Sequence, residues 1–204
     1  MSSTKQKLFL KLSEEAQSCQ ICEAMRDKVA VLSENNGNID PKVFFIAEAP
    51  GRQGADRTRK PFWGDKSGEN FQKFLDSINL KREEIFITNA VLCSPRKPNG
   101  ANRNPKKSEM KNCSNFLKKT IDLINPKIIV TLGAVSLEAL KLLEYHQFSL
   151  KTDVGKILRW NGQILVPLYH PSPQVLASHR REKEQLEDYK VLAEAIEKIS
   201  FKTK

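Results

Sequence analysis

The sequence predicts a three-layer α/β/α domain with a mainly parallel, four-stranded central sheet. Three observations predict it. Apolar runs of strand length recur at Val43–Ala47, at residues 85–88 and at Ile128–Leu132. Each run is continuous rather than alternating, as strands buried on both faces require. Between the runs, apolar residues fall three and four apart, the spacing of a helix's buried face.

Taken in order, residues 8–26 (Leu8, Leu10, Leu12, Ala16, Cys19, Cys22, Met25) predict a short helix leading into a cysteine pair. Asn35-Asn36-Gly37-Asn38 is a turn. After the first strand, Phe71, Phe74, Leu75 and Ile78 mark a buried helix face. The second strand, Ile85-Phe86-Ile87-Thr88, leads to a basic, turn-rich loop over residues 95–105. Phe116, Leu117, Ile121 and Ile124 predict a helix that Pro126 stops. The third strand turns at Gly133 into a helix over 134–143. Residues 157–160 and 164–166 flank Asn161-Gly162, a strong hairpin signal. Leu186, Tyr189, Leu192, Ala193 and Ile196 give the closing helix its apolar stripe. No internal repeat is visible.

A chain of 204 residues suits one domain over 1–204, with residues 1–40 supplying a helix and the first cysteine pair. The net charge of +10 and a pI near 9.5 predict an acidic partner, nucleic acid first. No run of about 18 apolar residues is present, so no membrane partner is expected. The first residues lack the apolar stretch of a signal peptide, and the cytoplasm is the expected location.

There are four cysteines, at Cys19-x2-Cys22, Cys93 and Cys113. In a cytosolic protein such a set reads as metal ligands rather than disulfides. Four thiolates suit either a tetrahedral zinc ion or a cubane iron–sulfur cluster.

In open α/β sheets, ligands gather outside the carboxyl ends of the strands. Here those ends carry Glu48-Ala49-Pro50-Gly51, Thr88-Asn89 and Tyr169-His170-Pro171-Ser172-Pro173. A carboxylate, an amide and an imidazole are thus expected on one rim. Each has a plain structural explanation alone: a helix-start charge, a turn residue, a capped core histidine. Together they mark a candidate site.

Ala47-Glu48-Ala49-Pro50-Gly51, Arg57-Thr58, Pro61-Phe62-Trp63-Gly64-Asp65-Lys66-Ser67-Gly68, Ile87-Thr88-Asn89-Ala90-Val91-Leu92-Cys93, Val130-Thr131-Leu132-Gly133 and His170-Pro171-Ser172-Pro173 occur in this order. With the cysteine spacing, this ordered set resembles the uracil-DNA glycosylase superfamily, specifically its iron–sulfur branches, families 4 and 5. Glu48 and Asn89 look like family 4. Residues 54–58, the Gly64–Gly68 stretch and the His-Pro-Ser-Pro step look more like family 5. Ala47 stands where these motifs usually have Gly. Ala49 stands where the best-known uracil glycosylase family has its water-activating aspartate, an absence that the iron–sulfur families share.

The resemblance implies a monofunctional hydrolase that flips uracil out of DNA, breaks its N-glycosidic bond and leaves an abasic site. His170 would donate to uracil O2, Asn89 would read the base edge and Phe62 would stack on the ring. Ala49 and Gly51 would offer backbone contacts to the base. Glu48 would either position the water or shape the pocket near C5. Val175 or Leu176 would fill the gap, with Ser172 and Gln174 on the DNA. His179, Arg180 and Arg181, the loop 96–103, Arg57, Arg59 and Lys60 are phosphate candidates. For the cysteines the resemblance favours a structural [4Fe–4S] cluster over zinc. A monomer is expected. The rival readings are a non-catalytic metal-containing nucleic-acid-binding protein, a redox or partner-docking protein built on the cluster, and a glycosylase of broader range that also takes hypoxanthine and xanthine.

Overall fold

The computed structural model describes residues 4–200. In chain order the elements are α1 (Thr4–Gln17), β1 (Val43–Ala47), α2 (Ala55–Thr58), α3 (Lys66–Asp76), β2 (Ile85–Asn89), α4 (Lys107–Ile124) and β3 (Ile128–Leu132). Then follow α5 (Ala134–Lys141), α6 (Leu150–Asp153), β4 (Leu158–Trp160), β5 (Gln163–Leu168), α7 (Pro173–Ser178) and α8 (Glu182–Ser200).

The strand order is β2-β1-β3-β5-β4, with every pairing parallel except β4 with β5. The sheet therefore has five strands, one more than the sequence predicts. The extra strand comes from the Asn161-Gly162 hairpin, whose arms both join the sheet. Both turn residues have positive φ, 46° and 81°, as the tight turn between twisted strands demands.

The sheet separates two cores. On one face, Phe44, Ile46, Phe86, Ile129 and Leu165 pack under Phe9 and Leu12 of α1, Leu117 and Ile121 of α4, and Leu137 and Leu140 of α5. On the other, Phe45, Ile87, Val130 and Val166 meet Phe71, Phe74 and Leu75 of α3 and Tyr189, Leu192 and Ala195 of α8. β1, β2 and β3 are buried at every position, which explains their unbroken apolar runs. Phe71 is wholly buried and meets Phe45 edge to face at 5.2 Å. Truncating such a phenylalanine to alanine costs about 3–5 kcal/mol.

Two boundaries differ from expectation, and the end of α4 agrees with it. The first helix ends at Gln17, so Cys19 and Cys22 lie on irregular chain before the single tight turn Glu23–Met25. α4 ends at Ile124 through a left-handed Asn125, one residue ahead of Pro126. α5 stops at Lys141 rather than residue 143. Among the described residues no helix is long and apolar enough to cross a membrane.

Candidate active site at the carboxyl rim of the sheet

Ala47 and Asn89 face each other in the last register of β1 and β2. The ladder continues beyond the strands, with Ala90 N donating to Ala47 O at 2.8 Å and Val91 N to Glu48 O at 3.1 Å. These bonds hold the backbone at Glu48 next to the backbone that follows Asn89 on the rim. Asn89 is only 4% exposed, and its amide Nδ2 is buried without a hydrogen-bond partner. An orphaned donor of this kind costs about 1–3 kcal/mol. Glu48 is half-buried with no hydrogen bond or ion pair to its carboxylate among the described residues, and burial raises its pKa.

The third component arrives from β5. Gly133 N donates to Leu168 O at 2.8 Å, and a Cβ at Gly133 would lie 3.6 Å from His170 Cβ. With φ at +100°, Gly133 takes a turn that other residues rarely adopt. Asn70 of α3 secures the next step, its Nδ2 donating to Pro171 O at 2.9 Å. The His170 residue keeps some surface, but its ring is enclosed. Burial pushes the imidazole pKa down to about 4, so the ring is neutral near pH 7.

Phe62 joins His170. Its ring stacks on Phe71 at 4.5 Å and meets His170 at 5.4 Å. Its backbone is left-handed, φ 48°, which is uncommon for a bulky residue. α3 begins against this bend: Asp65 accepts from Gly68 N at 2.9 Å, and a Cβ on Gly68 would sit 2.5 Å from Phe62 O. Only glycine fits there. Ala49 packs partly against the first core. Gly51 lies near Asn102 and Asp65, and Asn102 Oδ1 accepts from Arg52 N at 3.1 Å.

The DNA-facing candidates divide. Ser172 caps α7 by accepting from Val175 N, and Gln174 is exposed. Leu176 packs against the α3–α8 core, whereas Val175 is not part of that cluster. Arg180 does not offer a free guanidinium. It donates to both Asp188 carboxylate oxygens, at 3.0 and 2.6 Å, and so ties the turn after α7 to α8. Several other expected phosphate ligands are likewise engaged. Arg57 holds Gln53 O and Gly64 O, Arg59 holds Val29 O and Ala30 O, and Lys60 stands over the Trp63 ring at 4.0 Å. In the basic loop, Arg96 pairs with Asp56, and Arg103 forms a two-pronged pair with the buried Glu109. Lys97 and Arg181 are exposed.

All four cysteines line one small cavity with Met25 and Asn112, and none is in a disulfide. Asn112 Nδ2 donates to Cys22 Sγ at 3.4 Å. Burial, helped by the neighbouring cysteines, pushes Cys93 up to about 12 and Cys113 to about 11. A metal bound here would have to displace these protons, because thiolates are the ligating form. Among the described residues no group of three or more His, Cys, Asp or Glu side chains is arranged to hold a single metal ion. Four thiols round one shared cavity supply the donor set that either an iron–sulfur cluster or a zinc ion takes.

A separate groove of about 360 Å³, lined by Asp40, Lys42, Asn125 and Ile128 among others, lies at the amino ends of β1 and β3, away from all these residues.

The model of the uracil DNA glycosylase superfamily matches residues 34–194. This chain belongs to that superfamily. The Type-4 uracil-DNA glycosylase of Saccharolobus solfataricus is 37% identical over 192 residues, covering 91% of this chain and 85% of the relative. That of Thermotoga maritima is 32% identical over 170 residues, covering 83% and 84%. The Type-5 uracil-DNA glycosylase of Pyrobaculum aerophilum is 30% identical over 151 residues, covering 67% and 64%. In this uracil DNA glycosylase superfamily member, two side chains that sequence reasoning does not single out lie against the loops of the rim: Asn70, which donates to Pro171 O, and Arg82, which donates to Pro61 O and Phe62 O. Asn70 sits on the polar side of an amphipathic helix. Arg82 lies in a charged run that reads as solvated surface. Neither carries a local signal.

Proposed function

We propose that this protein is a uracil-DNA glycosylase of the iron–sulfur branch, which hydrolyses the N-glycosidic bond of an extruded uracil and leaves an abasic site. One observation carries the reading: the buried, unpartnered Nδ2 of Asn89 on the rim beside Glu48. A buried donor left open is explained if a ligand completes it.

Uracil completes it well. Asn89 Nδ2 donates to O4 while Oδ1 accepts from N3–H. Cytosine presents a donor and an acceptor in the opposite order, so the same amide rejects it. Phe62, backed by Phe71, stacks on the ring. As the C1′–N1 bond breaks, its electron pair goes to the uracil ring, and neutral His170 donates a hydrogen bond to O2. A donor aimed at developing charge is worth roughly 3–4 kcal/mol. Water adds to the oxocarbenium-like C1′. Glu48, a carboxylate without a protein partner and with a raised pKa, holds that water and accepts its proton, and the departing uracil anion is later protonated from solvent.

Base flipping requires something to hold the gap in the duplex. Val175 is the wedge, with Ser172 and Gln174 beside it, and Lys97 and Arg181 meet phosphates. Cys19, Cys22, Cys93 and Cys113 hold a [4Fe–4S] cluster in preference to zinc. When bound, the cluster supplies iron–thiolate bonds that fasten the N-terminal arm and the Cys93–Cys113 loop together. That loop is latched in turn to the site loop through Arg96 and Asp56 and through Asn102 and Arg52. Ala49, in place of an aspartate, leaves Glu48 as the acid of the first loop. Uracil-containing DNA is the expected substrate, processed by a cytoplasmic monomer.

The test is base release by cluster-loaded protein from single- and double-stranded oligonucleotides carrying uracil, hypoxanthine, xanthine or a thymine mispair. Uracil release supports the reading. Salt-sensitive DNA binding without release of any base favours a non-catalytic binding protein instead.

A further inference from the structure

We propose that Arg82 is a positioning residue for base recognition, its guanidinium fixing the bend that aims the Phe62 ring. This rests on the reading of Phe62 as the stacking surface for the base.

Arg82 lies just ahead of β2, outside every motif that marks the rim. Its three donor contacts all go to neutral oxygens: Nε to Gln72 Oε1 at 2.9 Å, Nη1 to Pro61 O at 3.2 Å and Nη2 to Phe62 O at 2.6 Å. Among the described residues it has no ion-pair partner. Burial lowers its pKa accordingly. The Glu83 carboxylate acts the other way without pairing with it, and a partly buried cation needs well-made hydrogen bonds in place of water.

The two carbonyls it grips are consecutive, and the second belongs to the left-handed Phe62. Bulky residues hold that conformation only when the surroundings over-determine it. Here three elements do so. Gly68 lets α3 approach the Phe62 carbonyl closely, Phe71 stacks on the ring, and Arg82 donates to the Pro61 and Phe62 carbonyls. The guanidinium is itself bracketed by the Phe71 and Trp63 rings, at 5.4 and 5.5 Å. A planar fork with several donors suits two adjacent carbonyls, and a lysine point charge does not. Arg82 thus touches no substrate. It sets the angle at which Phe62 meets both the base and His170.

The experiment is single-turnover uracil release by Arg82→Met, Arg82→Lys, Phe62→Ala and the double variant Phe62→Ala/Arg82→Met. All are assayed well below their thermal midpoints. Arg82→Met is expected to lose roughly 10- to 100-fold in rate, the range for a small misplacement of a contact group. Arg82→Lys should recover part of that loss, and both should keep the wild-type shape of the pH profile. In the Phe62→Ala background, Arg82→Met should cause no further loss, because Arg82 acts through Phe62. Losses that multiply in the double variant, or a folded Arg82→Met at wild-type rate, overturn the proposal. If Arg82→Met does not fold, Arg82→Lys alone and in the Phe62→Ala background reads the same coupling. A wild-type protein that releases no uracil overturns the functional reading, and this proposal with it. An active wild type without coupling overturns only the role of Arg82.

Discussion

The rings of Phe62 and His170, one from the loop before α3 and the other from the end of β5, meet with centroids 5.4 Å apart and planes tilted by 42°. The contact joins the surface that would hold a base to the group that would polarise it. It also gives the imidazole an apolar neighbour, which favours its neutral form.

A neutral His170 would act as a hydrogen-bond donor and not as a cation. His170→Ala is expected to reduce single-turnover uracil release by about 10²–10³-fold, the usual loss for one preorganised donor. Affinity for uracil-containing DNA should change little. Rapid-quench kinetics beside fluorescence anisotropy separate the two effects.

The pH dependence should follow Glu48. Its pKa is raised by burial, and the carboxylate is the form that accepts a proton. Release should therefore fall as pH drops through a value above the ordinary glutamate range. Glu48→Gln should lower the plateau and remove that limb. A limb that survives in Glu48→Gln belongs to another group.

Stability should also depend on pH through His170. Its folded pKa, about 4, lies below the ordinary 6.5, so the folded state binds this proton less readily than the unfolded chain. The contribution is complete above pH 6.5 and is lost as pH falls towards 4, up to about 3 kcal/mol. His146 adds in the same direction. It is buried, its Nε2 meets Leu137 O at 3.0 Å and its Nδ1 accepts from Phe148 N. Urea melts at pH 7 and pH 4.5 should show a smaller difference in His170→Asn than in wild type.

Asn89→Leu should separate stability from function. Replacing the amide by a side chain of similar shape removes a buried donor that has no partner in the free protein. Stability is expected to rise by about 1 kcal/mol, while uracil release falls by orders of magnitude. Denaturant titration and the release assay read the two halves. A destabilised Asn89→Leu would mean that the amide is satisfied before DNA arrives.

Much of this was legible in the sequence because burial on both faces leaves a plain mark. The runs Val43–Ala47 and Ile128–Leu132 are strands because helices cover both sides of them. Glu48, Asn89 and His170 could be placed together because parallel strands put their carboxyl ends on one rim. The fates of single cations were not legible. Arg180 and Arg103 resemble surface charges in the sequence, yet each grips a buried carboxylate, Asp188 or Glu109, and that pairing depends on tertiary packing. Arg82 likewise meets its partners, Pro61 O and Phe62 O, only through tertiary packing. The hairpin arm β4 is legible as a run, but three residues are too few to show that it joins the sheet as a fifth strand.

The most direct measurement is a crystal structure of the cluster-loaded protein with an abasic oligonucleotide and uracil. The account requires uracil stacked on Phe62, its O4 and N3–H on the Asn89 amide and its O2 within reach of a His170 ring nitrogen. Uracil bound elsewhere, or bound here with Asn89 Nδ2 still unpartnered, would contradict it.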